Sequence, residues 1–279
     1  MTRLPGETRC GKVPAVDTEL RDSAGRPVRV EVVSRTAGPP QPLPPCLWEF
    51  PDVRRAPARG CVGEGADFTP STIVTAYRHG VFPWPQAAAE KLWFSPDPRA
   101  VIPLDGLHIS RRLGRTLRMN RFTATVDADF ESVMRACASG RPEGTWITSS
   151  LIEGYVALHR LGWAHSVEVW TQAGDLAGGL YGVGVGAMFG AESMFHRVRD
   201  ASKVALVALT QHLIAIGMEL LDVQVVTEHT ASMGVIEIPR REYMERLTRA
   251  IRTDVDWSKR VRPAGGISGT AGPGRLLQG

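Results

Sequence analysis

The sequence predicts an α+β fold built from two subdomains. Residues 165–195, HSVEVWTQAGDLAGGLYGVGVGAMFGAESMF, read as strand, turn, strand and strand. A helix over 200–217 and the apolar run LLDVQVV (220–226) complete a β-β-β-α-β order. The part before it is richer in short helices and carries aromatics in loops. The ends have a different texture. Five prolines stand between Pro39 and Pro45, and the sequence from about Arg262 is Gly-rich without aromatics. The expected division is a Pro-rich flexible leader (1–46), an N-terminal subdomain (47–122), a second domain (123–258) and a Gly-rich tail (259–279).

Each element has a local reason. VRVEVV (28–33) alternates and allows a short strand within the leader. Thr69–Gly80 is a helix with Thr69 or Ser71 as N-cap, Pro70 in the first turn and Gly80 as its stop. LWFSPDPRAVIPL (92–104) is extended and Pro-punctuated, which predicts an edge strand plus a turn. Ser110–Met119 sets Leu113 and Leu117 four residues apart, with arginines on another face and a weak point at Gly114. FTATVD is a strand. Helices follow over Phe130–Cys137 and Thr148–Leu161, and in the 200–217 helix Ser202 is the expected N-cap.

The 279 residues carry 33 Lys plus Arg against 29 Asp plus Glu, a net charge of +4. That balance suits a soluble chain with a large core and is compatible with a polyanionic partner. Four cysteines without metal or redox spacing predict neither a disulfide framework nor a metal site. The N-terminus has no apolar signal region, and Val204–Met218 is too short to span a bilayer. The expectation is a cytoplasmic chain, with no membrane partner. No heptad pattern appears, which points to a monomer.

Several residues are conspicuous for their surroundings. Asp222 and Gln224 stand two apart in an otherwise apolar strand, so a carboxylate and an amide are expected to share a face. They read as an internally bonded polar pair or as a base beside an amide donor. Glu192, inside AESMF, poses the same question. Trp84, Trp93 and Trp146 lie in loop-like settings, either as core or as platforms for a flat ligand such as a nucleobase. Arg111, Arg112, Arg115, Arg118 and Arg121 form a run without acidic residues, either a solvated helix face or a phosphate contact. The glycines of GGLYGVGVG run into another strand rather than a helix. They therefore predict close approach of a substrate or a second backbone, not a dinucleotide loop.

Long strings in order then carry a resemblance: AYRHGVFPW (76–84), WFSPDPRAV (93–101), LHISRRL (107–113), GTWIT (144–148), AHSVEVW (164–170), GGLYGV (178–183), ESMF (192–195), ASKVAL (201–206), LLDVQV (220–225), HTASMG (229–234) and EIPRREY (237–243). Over about residues 47–250 the chain resembles the leucyl/phenylalanyl-tRNA–protein transferase family. The resemblance implies an N-acetyltransferase-like second domain and transfer of Leu or Phe, with Met as a further donor, from aminoacyl-tRNA to proteins beginning with Arg or Lys. The products are marked for N-degron proteolysis. It implies no cofactor and no metal. On this reading Asp222, Gln224 and Glu192 are catalytic. Asp222 accepts from the attacking amine, Gln224 holds the amine or the oxyanion, and Glu192 orients Gln224 or attracts the cationic acceptor.

The terminal adenine is expected on Trp84 and Trp146 with Tyr77 nearby. The aminoacyl side chain is expected among Ser193, Met194, Leu180 and Leu221. Arg111, Arg112, Arg115 and Arg118 are the expected tRNA phosphate contacts. Departures from the family pattern include GEGADF (63–68), Ala191 before Glu192, His196 after ESMF and Val223 between Asp222 and Gln224. An acyl-CoA-dependent N-acyltransferase on the same fold and a non-catalytic tRNA-binding protein are the alternatives. The first lacks its Gly-rich CoA signature, and the second leaves the carboxylate and amide without a purpose.

Overall fold

Proline and glycine placement decides which apolar runs pair. In the computed structural model, residues 19–36, 38–85, 90–139 and 145–258 are described. The first elements are β1 (Val32–Ser34), β2 (Cys61–Glu64), α1 (Pro70–Arg78), β3 (Phe82–Pro83), β4 (Leu92–Phe94) and β5 (Arg99–Ile102). Then come α2 (Arg111–Arg118), β6 (Phe122–Val126), α3 (Phe130–Ala138), α4 (Ser149–Arg160), β7 (Ala164–Thr171) and β8 (Leu176–Val185). The last are β9 (Met188–His196), α5 (Ala201–Ile216), β10 (Leu220–Gln224), α6 (Glu228–Ala231), β11 (Ile236–Ile238) and α7 (Arg240–Ala250).

An eight-stranded sheet runs β1-β6-β7-β8-β9-β10-β5-β11, and a small three-stranded sheet runs β2-β4-β3. The β1–β6 and β9–β10 pairs are parallel; the other pairs of the large sheet are antiparallel. One face of the sheet packs on α5 and α2, through Val204, Leu213, Leu113 and Leu117 against Val167, Leu180 and Leu221. The other packs on α1, α3, α4 and α7, through Tyr77, Met134, Tyr155 and Tyr243 against Tyr181, Val183 and Met188. The β-β-β-α-β order is therefore present as β7-β8-β9-α5-β10, in a mixed α+β architecture with a small N-terminal part.

Local rules account for the helix ends. Ser110, Asp129 and Thr148 cap α2, α3 and α4 by accepting from Leu113, Ser132 and Leu151 backbone N–H groups. Ser202 does not cap α5. Asp200 occupies that position in the left-handed region (φ 70°), and its carboxylate turns to Arg112 instead.

Two expectations about organisation are corrected. Residues 19–36 and 38–46 are not a loose leader. Val28 and Val30 are buried in the core, β1 extends the large sheet, and the Gln211 side chain brackets Val30 by accepting from its N–H (3.1 Å) and donating to its carbonyl (2.9 Å). The short VRVEVV run buries its alternate valines against α2 and α5, which outweighs the prolines that follow. Residues 1–18 and the Gly-rich tail lie outside the described residues. Nor does residue 122 divide the two parts. β5 pairs with β10 and β11 inside the large sheet and β4 is the middle strand of the small one, so 92–104 supplies no edge strand. Pro96, Pro98 and Pro103 all fall just outside the paired residues, so no ladder hydrogen bond is lost.

The glycines of β8 admit protein rather than ligand. A Cβ on Gly182 would collide with the Gly190 carbonyl oxygen and meet the Phe189 ring at 2.6 Å; one on Gly190, in β9, would meet the Tyr77 ring at 2.6 Å. Gly182→Ala is therefore expected to cost about 1–3 kcal/mol by overpacking, read as a lower urea midpoint with an unchanged slope.

Candidate active site

β9 and β10 pair in parallel only over Met188–Gly190 and Leu220–Asp222. Beyond that they separate, and a cavity of 540 Å³ opens between them. The separation coincides with a bulge in each strand. In β9 the register passes from Tyr181↔Ser193 to Gly182↔Ala191, leaving Glu192 as the extra residue. In β10 the pairing with β5 shifts between Asp222 and Gln224, and Gln224 takes a positive φ of 61°. Bulges re-aim side chains. Here they turn a carboxyl and an amide into the same space.

The cavity wall includes Trp84, Trp146, Glu192, Ser193, Met194, Val223, Gln224 and His229. Trp84 rests edge-on against Phe94, with ring centres 5.5 Å apart. Six sequence-predicted residues thus come together: Trp84, Trp146, Glu192, Ser193, Met194 and Gln224. Tyr77, Leu180 and Leu221 do not join them. All three are fully buried, Tyr77 under Gly190 and the two leucines in the core against α5. Apolar residues of a strand beside a cavity have the same sequence signature whether they line it or back it. A larger groove of 1110 Å³ runs beside β1 and α2 and contains none of the predicted site residues.

Asp222 has a different place from the one expected. It is fully buried and does not line the cavity. Its Oδ1 accepts from Arg99 Nε (2.9 Å) and from the Gln224 backbone N–H (2.9 Å). Its Oδ2 accepts from Arg99 Nη2 (2.7 Å) and from the Tyr243 hydroxyl (2.9 Å). A carboxylate offers about four acceptor sites. All are used, so none remains for a substrate amine, and the geometry does not fit Asp222 as the accepting base. Arg99 in turn donates to the Gly80 carbonyl (3.1 Å) and lies 4.7 Å from the centre of the Phe82 ring, which lines the cavity. The Arg99–Asp222–Tyr243 network therefore supports both the Phe82–Trp84 wall and the backbone of Gln224.

Arg99 and Tyr243 were missed in the sequence. The available signal was a cation in the apolar strand RAVI and an anion in the apolar strand LLDVQVV, each without a local partner. His229 was missed as well, since it stands in a polar turn.

Three side-chain atoms in the cavity wall are buried and have no hydrogen-bond partner among the described residues: Glu192 Oε1, Gln224 Nε2 and His229 Nε2. Burial, and then the nearby Asp222 charge, push the Glu192 carboxyl well above the ordinary carboxylate range, which favours its protonated form. Burial lowers the His229 imidazole, helped by Lys203 and His196, so it stays neutral. Among the described residues no group of three His, Cys, Asp or Glu side chains is placed to hold a metal ion, and no helix is long and apolar enough to cross a membrane.

On α2, Arg112 donates to Asp200 (3.0 Å) and Arg118 to Asp22 (2.9 Å). Arg111 and Arg115 are exposed, with no ion-pair partner among the described residues. The four predicted phosphate contacts are thus two tethered arginines flanking two open ones.

Parallel strands part around a cavity that offers a carboxyl, an amide and an imidazole beside two tryptophans. The chain belongs to the leucyl/phenylalanyl-tRNA protein transferase family. The model of that family matches residues 101–248, and the model of its N-terminal domain matches 66–97. Relatives called leucyl/phenylalanyl-tRNA–protein transferase include one from Pseudomonas syringae pv. syringae (strain B728a), 46% identical over 218 residues, covering 76% of this chain and 95% of the relative. Another, from Anaeromyxobacter sp. (strain K), is 49% identical over 205 residues, covering 72% and 88%. A third, from Rhodopseudomonas palustris (strain HaA2), is 49% identical over 191 residues, covering 67% and 85%.

Proposed function

We propose that this chain transfers leucine or phenylalanine from aminoacyl-tRNA to the N-terminal Arg or Lys of acceptor proteins, as a cytoplasmic monomer that marks them for N-degron proteolysis. The carrying observation is the cavity between β9 and β10, where Glu192 and Gln224 face the same space as Trp84 and Trp146. The terminal adenine stacks on the tryptophans. The ester carbonyl lies towards Glu192 and Gln224. Both are donors there, the first as a protonated acid and the second through its unpaired Nε2. Two donors aimed at a developing oxyanion stabilise the transition state more than the ground state. Met194 packs on the α5-side core and supplies apolar contact to the aminoacyl side chain. A pocket of this kind distinguishes Leu from Phe or Met by only ~1–3 kcal/mol.

The test is incubation with leucyl-tRNA and peptides beginning with Arg, Lys or Met, followed by mass measurement of the product. An added leucine on the Arg and Lys peptides supports the reading. No transfer to any peptide, or transfer from an acyl-CoA instead, overturns it.

The open arginines give a second expectation. Arg111→Glu with Arg115→Glu removes two cations from the exposed face of α2. If both meet phosphates, the slope of log affinity against log salt falls by about 0.7–0.9 for each, measured by tRNA binding across a salt series. Single changes at Arg112 or Arg118 are expected to do less, because Asp200 and Asp22 already hold them.

A further inference from the structure

The proposed transfer leaves one requirement unmet. When the amine adds to the ester carbon its nitrogen becomes positive and must lose a proton. When the ribose 3′-oxygen leaves, it must gain one. Some group has to accept and then donate near neutral pH, within reach of both atoms. Asp222 is sealed by four donors. Gln224 offers an amide, which does not exchange protons in this range. Burial favours the protonated form of Glu192, which suits a donor to the oxyanion rather than an acceptor of the nitrogen's proton. Ser193 and Thr227 line the same cavity but are hydroxyls of high pKa.

An imidazole suits the requirement because one ring both accepts and donates a proton, and a ring held neutral is in the accepting form. His229 lines the cavity with Nε2 buried and unpaired among the described residues. Its place is fixed by the turn that carries it. Thr227 and Thr230 form a reciprocal cap on α6, and the His229 carbonyl accepts from the Ser232 hydroxyl (2.8 Å), which itself accepts from Lys203 Nζ (3.0 Å). Lys203 from α5 and His196 from β9 face it, and both favour the neutral ring; His196, the other imidazole of this wall, is exposed at the rim, whereas the His229 Nε2 is buried.

We propose that His229 carries the proton from the attacking amine to the leaving ribose oxygen. This rests on the transfer reading above. As the C–N bond forms, the carbonyl electron pair moves to oxygen between Glu192 and Gln224. The nitrogen then passes a proton to His229 Nε2. On collapse the C–O bond to the ribose breaks, its electron pair stays on the 3′-oxygen, and that oxygen takes the proton back from the imidazolium. One amide and one free hydroxyl result, and His229 ends neutral.

The test measures single-turnover leucine transfer to an Arg-initiated peptide by wild type, His229→Ala and His229→Gln, with tRNA binding and thermal unfolding recorded beside it. Both variants are expected to lose on the order of 10²–10⁴ in rate, with leucyl-tRNA affinity unchanged. Added imidazole is expected to recover part of the rate in His229→Ala but not in His229→Gln, whose side chain fills the space. Wild-type rates in either folded variant overturn the proposal. So does a loss that appears wholly in tRNA affinity and is not relieved by imidazole. If His229→Ala does not fold, His229→Gln decides by the same split between rate and affinity. An inactive wild type overturns the transfer reading itself, an outcome distinct from a variant that matches an active wild type.

Discussion

Asp222→Ala is expected to lower stability by about 3–5 kcal/mol, because it leaves the Arg99 guanidinium buried without its counter-charge. Chemical denaturation gives that number directly. The more informative variant is the double one, Arg99→Met with Asp222→Leu. Replacing both partners of a buried pair by apolar side chains of similar volume is often neutral or stabilising, so folding should recover. Transfer should not. The Asp222 carboxylate also accepts from the Gln224 N–H, and Gln224 sits at φ 61°, where a side chain costs roughly 1–2 kcal/mol. Without that tether the backbone relaxes and the amide no longer faces the cavity. Asp222→Asn separates the two roles, since its amide oxygen still accepts from Gln224 N–H while Arg99 loses its counter-charge. A double variant that regains both folding and transfer would show that Asp222 does not act through Gln224.

The pair explains which parts of the molecule were legible in the sequence. The cap residues expected at Thr69 and Ser202 were not, since neither caps its helix by its side chain. The helices starting at Ser110 and Thr148 were, because their capping contacts act over three residues and depend on nothing distant. So was the β-β-β-α-β order, which follows from hydrophobic period and turn residues. Trp84, Trp146, Glu192 and Gln224 were also legible as unusual residues, since each is polar in an apolar strand or aromatic in a loop. The direction of Asp222 was not. Two residues apart on a strand share a face only while the register holds, and in β10 it shifts between Asp222 and Gln224. A bulge is set by the strands on either side, which one sequence segment does not contain. The same limit hid Arg99, whose partner lies 123 positions away. It also hid the packing of residues 19–36 and 38–46, whose valines bury only because α2 and α5 present a surface to them.

Glu192 gives the second large effect, and its sign depends on protonation. Its folded-state pKa is raised well above the ordinary value of 4.5 by burial and by Asp222. Between 4.5 and the raised value the native state keeps a proton that the unfolded state has released. Stability therefore falls as pH rises through that window and is fully present below it. Gln copies the shape and the donor of the protonated acid and does not titrate. Glu192→Gln should then be more stable than wild type at neutral and alkaline pH and indistinguishable from it below about pH 4, measured by urea unfolding across a pH series. The catalytic expectation follows from the same proton. If the neutral carboxyl donates to the oxyanion, Glu192→Gln keeps most of the transfer rate, whereas Glu192→Ala loses on the order of 10²–10³, as for removal of one oxyanion donor. The affinity for Arg-initiated peptides should be the same in Glu192→Gln and wild type, because a neutral acid attracts no cation. If Glu192→Gln is as slow as Glu192→Ala, or binds the cationic peptide more weakly, Glu192 acts as a carboxylate. The arriving cation then has to draw the proton off it, and the donor role passes to Gln224 alone.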